Sequence, residues 1–271
     1  TLPYDVPANQ FMNLEGEKIS GSRNWAVWGR DVLTRYDPDA LRYYLTVNMP
    51  ESHDSDWSWA EFVAKNNGEL VATWGNLVNR VLSFCYKHWD GFIPAFKNNG
   101  EPIPPPLRET DSALLEEIEQ GFHTVGNLLD GVKLRAALQE AFRLATRVNQ
   151  YLDQMAPWQA VKVDKESTAL TIFSSLKAID SLKVIFSPFL PFTCEKLHAF
   201  LGYQTSLFGQ ASTETIKDAL GDHKVLLYKA EPGVQWQPSH LAAGTKLNPP
   251  QPLFKKLEEK VIEEERARLR K

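Results

Sequence analysis

The sequence predicts a mainly α fold, an antiparallel helical bundle preceded by a small α/β connector. Three observations lead there. Over residues 59–201 apolar side chains recur at helical spacing with few interruptions. The breaks between those runs are short and carry Asp-Gly or Pro, so successive helices fold back on one another. Before Ser58 the pattern is mixed: a strand-like run, a polar loop and two short helical stretches. A chain of 271 residues is expected to form one or two domains. The pattern divides it into a connector over 1–57, a helical domain over 58–230, and a linker with a last helix over 231–271.

Taken in order, 9–14 reads as a strand entering a polar loop over 14–23. Residues 25–35 have the spacing of a helix, through Trp25, Val27, Trp28, Val32 and Leu33. Asp37 is a good N-cap and Pro38 suits a first turn, so a second helix runs to about Asn48. Residues 53–57 are polar and extended. Ser58 and Glu61 have capping-box spacing. One long helix is expected from there to about His88, with Phe62, Leu70, Trp74, Leu77, Val81 and Phe84 apolar. Gly68 and Gly75 inside it each cost ~1 kcal/mol against Ala, which predicts a kink or close packing. Asp90-Gly91 closes that helix, and Asn98-Asn99-Gly100 makes a turn within a Pro-rich stretch over 94–106. Helices follow at 111–129, 132–153, 167–186 and 191–201, with Ala156-Pro157-Trp158 breaking the series. Residues 202–252 lack periodicity apart from a strand at 222–228. Residues 253–271 read as a final amphipathic helix with Leu253, Leu257 and Val261 on one stripe. Arg266, Arg268, Arg270 and Lys271 match the dipole at its end rather than forming an RNA site.

The net charge of −4 argues against indiscriminate nucleic-acid binding but allows a local basic face. Two cysteines, Cys85 and Cys194, sit in apolar helical contexts and offer neither zinc spacing nor a disulfide framework, which points to the cytoplasm. The histidines at 53, 88, 123, 198, 223 and 240 are scattered and form no ligand set, so no metal site is expected. No apolar run approaches the ~20 residues a membrane span needs. The first residues resemble neither a targeting segment nor a natural start, and the expectation is a fragment cut before Thr1.

Two groups of residues could carry chemistry. Lys18, Ser20, Ser22 and Arg23 place two cations and two hydroxyls within a few residues, a set that suits polyphosphate oxygens. By spacing alone a solvated turn is the commoner outcome. Asn76 and Arg80, four apart, share a helix face and could hydrogen-bond and stack on a splayed base. Trp158, after Pro157 at a helix break, could be a stacking platform. Spacing alone equally describes a surface cation with a helix contact, and a Trp that fills a helix junction.

A resemblance changes the balance. Gly16-Glu17-Lys18-Ile19-Ser20-Gly21-Ser22-Arg23-Asn24-Trp25, followed by Tyr36-Asp37-Pro38-Asp39-Ala40-Leu41, resembles the Lys-Met-Ser-Lys-Ser region of class I aminoacyl-tRNA synthetases, and within them methionyl-tRNA synthetases. Gly21 stands where that family usually has its second lysine, and Arg23 is the candidate to stand in for it. Trp74-Gly75-Asn76-Leu77-Val78-Asn79-Arg80-Val81, ending at Trp89-Asp90-Gly91, resembles the family's anticodon helix. Asn149-Gln150-Tyr151-Leu152-Asp153 with Ala156-Pro157-Trp158 resembles its next recognition element. The likeness runs over 11–201 and thins afterwards, although 249–254 resembles the start of the family's last core helix.

The resemblance implies the C-terminal portion of a methionine–tRNA ligase with an anticodon-binding bundle. Lys18, Ser20 and Ser22 would be catalytic and, with Arg23, ATP-binding; Asn76, Arg80 and Trp158 would read the anticodon. ATP with Mg is the implied cofactor and methionine tRNA, initiator and elongator, the partner. No zinc in this portion and no membrane are implied. No His-Ile-Gly-His motif is present, so an N-terminal catalytic half is missing as a further partner. The alternatives are another class I synthetase of the same subclass and a non-catalytic tRNA-binding helical module.

Overall fold

The computed structural model describes residue 3, residues 5–229 and residues 235–269. Glu15 and Gly16 both take positive φ, 49° and 77°, the geometry of a two-residue turn that matches strand twist. They fold β1 (Met12–Leu14) against β2 (Glu17–Lys18), and β3 (Ser55–Trp57) lies parallel to β1 on its other side. The helix expected over 25–35 is cut to α1 (Gly29–Val32). The reason is local: Ser20 and Trp25 exchange backbone hydrogen bonds of 2.8 and 2.9 Å, and Asn24 sits at φ 51°. Next, α2 (Pro38–Val47) starts as its sequence dictates, the Asp37 carboxylate accepting from the Asp39 N–H at 2.8 Å.

The long helix is three pieces in line: α3 (Trp59–Lys65), a π-helical segment Asn66–Gly75, and α4 (Asn76–His88). Only half of the expected capping box forms. Ser58 Oγ accepts from the Glu61 N–H at 3.5 Å, while the Glu61 carboxylate accepts from Tyr44 OH at 3.0 Å instead of reaching back. A Cβ on Gly75 would stand 3.1 Å from both the Leu70 carbonyl oxygen and the Phe254 ring. The wide π turn and the glycine together admit the chain's last segment.

That segment departs from its expected form. Asn66 donates to the Lys255 carbonyl at 3.1 Å. Asn67 donates to the Leu257 carbonyl at 2.8 Å and accepts from the Leu257 N–H at 2.9 Å. Backbone groups taken by asparagines cannot join a helical ladder, so the helix expected over 253–271 shrinks to α10 (Lys260–Arg266). Nor are its arginines merely a dipole-matched end. Arg266 donates to Glu15 at 2.9 Å, and Arg268 lies 3.3 Å from Glu265. Arg270 and Lys271 lie outside the described residues, as does Thr1. Glu265, only 3% exposed, accepts from Arg35 at 2.7 and 2.9 Å and from Tyr36 OH at 2.9 Å, which pins the chain's end to the connector.

Asn99 and Gly100, at φ 49° and 88°, turn β4 (Phe96–Asn98) into β5 (Glu101–Ile103). The bundle then comprises α5 (Glu109–Asp130), α6 (Leu134–Met155), the short α7 (Pro157–Ala160), α8 (Lys165–Phe186) and α9 (Pro191–Phe200). α8 is buried on nearly every side and touches α4, α5, α6, α7 and α9. A buried cluster ties the layers: Asp111 accepts from Arg108 at 2.8 Å and from Tyr151 OH at 2.5 Å, and Arg108 also donates to Thr171 at 2.8 Å. Burial alone would raise the Asp111 carboxyl. Hydrogen bonds from Arg108 and Tyr151 outweigh it and hold the group below the usual carboxylate range. The strand expected over 222–228 is β7 (Gly221–Lys229), paired with β6 (Gln210–Asp218). The partner was not legible because every residue of β6 is exposed and it has no apolar face to betray it. Among the described residues no helix is long and apolar enough to cross a membrane.

Candidate functional site

The structure brings Lys18, Ser20, Ser22 and Arg23 into one closed loop. Lys18 ends the short hairpin and is exposed. The Ser20–Trp25 bridge closes the turn behind it, with Asn24 N–H donating to the Gly21 carbonyl at 3.1 Å. That closure sets the Ser20 and Ser22 hydroxyls 3.3 Å apart. Arg23 folds back: one guanidinium nitrogen donates to the Lys18 carbonyl at 3.2 Å, and another lies 3.8 Å from Glu17. Gly21 is not required by the backbone. Its φ lies outside the left-handed region and a Cβ there would meet the Trp28 ring at 3.6 Å, an ordinary contact.

This loop offers an ammonium, two hydroxyls and a guanidinium, all donors to phosphate oxygens. It has no carboxylate cage. Among the described residues no group of three His, Cys, Asp or Glu side chains could hold a metal ion. A magnesium ion here would have to arrive on the phosphates themselves.

The second set also comes together, across elements far apart in sequence. Ala156 takes φ 41°, Pro157 opens α7, and this sharp start aims Trp158 back at α4. The Arg80 guanidinium carbon sits 4.4 Å from the centre of the Trp158 ring, within cation–π range. Arg80 is also 3.8 Å from Asp153, so one residue of the Asn149–Asp153 motif orients it. Two others are structural: Asn149 donates to the Thr73 carbonyl at 3.3 Å, and Tyr151 belongs to the Arg108–Asp111 cluster. Asn76 is exposed one turn before Arg80 on the same helix.

Sequence reasoning missed the neighbours of Trp158. Phe84, expected in the core, is half-buried and meets Trp158 edge-on at 5.4 Å. His88 follows at 4.3 Å from Phe84. The signal was present as Arg80, Phe84 and His88 at four-residue steps, a stripe off the fully buried face of α4.

Known proteins are similar to this chain along most of its length. A family model described as tRNA synthetases class I (M) matches residues 1–82, and one described as the anticodon binding domain of methionyl tRNA ligase matches 102–226. The methionine–tRNA ligase of Thermomicrobium roseum is 50% identical over 271 residues, 99% of this chain and 45% of the relative. That of Chloroflexus aurantiacus is 48% identical over 99% of this chain and 44% of the relative. The apo structure of Mycobacterium tuberculosis methionyl-tRNA synthetase superposes with a TM-score of 0.71 at 21% identity, over 93% of this chain and 43% of that one. The same enzyme bound by methionyl-adenylate gives 0.71 at 20% identity, over 90% and 43%. At such identities the structural likeness supports the fold alone. The chain thus spans less than half the length of the curated relatives it matches. With sequence relatives along almost all of its own length and two family models matching in succession, the chain is similar to part of the methionyl-tRNA synthetases.

Proposed function

We propose that this chain is the C-terminal portion of a methionine–tRNA ligase, which recognises the tRNA anticodon and supplies the ATP-phosphate loop. The observation that carries this reading is Arg80 stacked on Trp158 beside Asn76, a preformed platform of ring, cation and amide at a helix break. Single-stranded bases are read by such sets, through stacking and through hydrogen bonds to their edges. The acidic total charge fits a protein whose RNA contacts are confined to one face.

In the loop, Lys18 stabilises charge on the polyphosphate and Ser20 and Ser22 donate to its oxygens. Arg23 braces the loop through the Lys18 carbonyl and is within reach of the same anion. ATP with Mg, when bound, would supply the adenylyl group and the pyrophosphate leaving group; the chain's own groups would orient the phosphates. Gly21 removes one cation from the family's usual set, and this one feature favours a second reading, a tRNA-binding module without catalysis.

The division into connector and loop (1–57), anticodon-binding helical domain (58–230) and linker with last helix (231–271) accompanies this reading. We further assign an apolar face of the connector to the remainder of the relatives' length. A cavity of about 510 Å³ there is lined by Met12, Val27, Leu33, Leu41, Leu45 and Phe192, and Phe11, Trp28 and Phe192 are each more than half exposed. A surface of that character needs a partner, and a catalytic half has to lie against Lys18. Two buried free thiols suit a cytoplasmic home.

The test is binding of this chain to methionine tRNA and to the same tRNA with altered anticodon bases, at two salt concentrations. The reading expects tighter binding of the intact anticodon at both. Equal binding of all variants, weakening together with salt, would leave only phosphate contacts and defeat it.

A further inference from the structure

The row of rings that begins at Trp158 continues past the residues assigned to the anticodon. From Phe84 it runs to His88 at 4.3 Å and to Trp89 at 6.1 Å, with His88 and Trp89 themselves 6.2 Å apart. A cation sits over each end: Arg80 over Trp158 at 4.4 Å, and the Lys165 ammonium 5.5 Å from the centre of the Trp89 ring. Beside Trp89 lies a cavity of about 250 Å³, lined by Trp89, Ala95, Phe96, Lys165, Glu166 and Ala169. Phe84, His88 and Trp89 are only half-buried, and Lys165 and Glu166 are exposed.

We propose that Trp89 and Lys165 form a second stacking subsite, which takes an unpaired nucleobase of the same RNA outside the position held at Trp158. This rests on the anticodon reading and extends it from a point contact to a track. Trp89 offers the ring on which a base stacks, and Lys165 the charge for its phosphate. Glu166 turns the cavity away from phosphate and toward a base, whose amino groups a carboxylate can accept from. Burial first, then Lys87 and Lys165, push the His88 imidazole below its ordinary value. It is therefore neutral near pH 7 and can lie between the two stacks without repelling Lys165.

The track can be read base by base. Place 2-aminopurine in turn at each unpaired position of the anticodon loop of methionine tRNA, bind each RNA to the 271-residue chain, and follow the quenching of its fluorescence. One position should lose its quenching in Trp158→Ala. A different position should lose it in Trp89→Ala, keep it in Trp158→Ala, and keep it in part in Trp89→Phe. Lys165→Gln, at an exposed position where folding is not at stake, should weaken RNA binding and lower its salt dependence. If quenching at a Trp158-dependent position survives but none responds to Trp89 or Lys165, the second subsite is wrong and the anticodon reading stands. If no position responds to either tryptophan, both fall.

Discussion

The Lys18 loop and the Arg80–Trp158 surface both set cations beside groups suited to nucleotides, yet they are built on opposite plans. The loop holds its residues by backbone hydrogen bonds across a tight turn, and its polar side chains project from it with few buried contacts. The surface holds Arg80 and Trp158 on helices whose other faces are core: Leu77, Val81 and Leu82 on α4 and Pro157 on α7 are buried. A phosphate contact that serves during chemistry and then releases product is well placed on a segment of low contact density. A reader gains affinity from side chains already fixed before the RNA arrives. The molecule therefore separates a yielding end from a preorganised one.

The largest effect should come from loosening the yielding end alone. Glu265→Ala takes from Tyr36 its acceptor and from Arg35 its buried partner, leaving Arg35 only Asp31 at 2.8 Å, and removing one member of such a buried pair costs ~3 kcal/mol. The thermal midpoint should drop by several degrees while RNA binding through Trp158 is retained. If RNA binding fell with it, the two regions would not be separable.

A smaller effect concerns pH and the bundle. His198 stacks on Tyr203 at 4.1 Å and accepts from Lys183 at 2.9 Å, with Asp180 paired to Lys183 at 2.5 Å. Burial first, then the Lys183 charge, lower its pKa to about 4. The unfolded chain binds that proton at about 6.5, so this contribution is complete above 6.5 and is lost as pH falls toward 4. The slope from this group is at most ~1.4 kcal/mol per pH unit. Denaturant titrations across that window should show it in the wild type and lose it in His198→Gln; equal slopes in both would contradict the assignment.

The smallest effect tests the loop's tolerance. Gly21→Lys should leave stability within ~0.5 kcal/mol, since neither backbone nor space demands glycine there. It should also tighten binding of inorganic tripolyphosphate, while Lys18→Ala weakens it. A folding defect in Gly21→Lys would show that the glycine is structural.

How far the sequence was legible follows from what holds each element. Asp37-Pro38, Asp90-Gly91 and Asn99-Gly100 act on their own neighbours, so those boundaries could be read from them. The bundle helices α5, α6, α8 and α9 fall within two residues of their expected ends at every terminus, because their apolar stripes are continuous. The misses are non-local. Trp25 leaves its helical pattern to pair with Ser20, and the chain after Leu253 surrenders its backbone to Asn66 and Asn67. No periodicity announces such claims. For the site, residue types and family motifs pointed to Lys18, Arg80 and Trp158. The stacking of Arg80 on Trp158 and the edge contact of Phe84 with Trp158 arise where α4 meets α7, which spacing within either helix cannot report, whereas the Arg80, Phe84 and His88 stripe was there to be read on α4 alone.

The measurement that bears most directly on this account is tRNA binding by Arg80→Ala and Trp158→Ala, each with intact and altered anticodon, with thermal midpoints as the folding control. Both variants should stay folded, bind intact methionine tRNA several-fold more weakly, and no longer distinguish the altered anticodon. Folded variants that still prefer the intact anticodon as strongly as the wild type would contradict it, and would move recognition away from the Arg80–Trp158 surface.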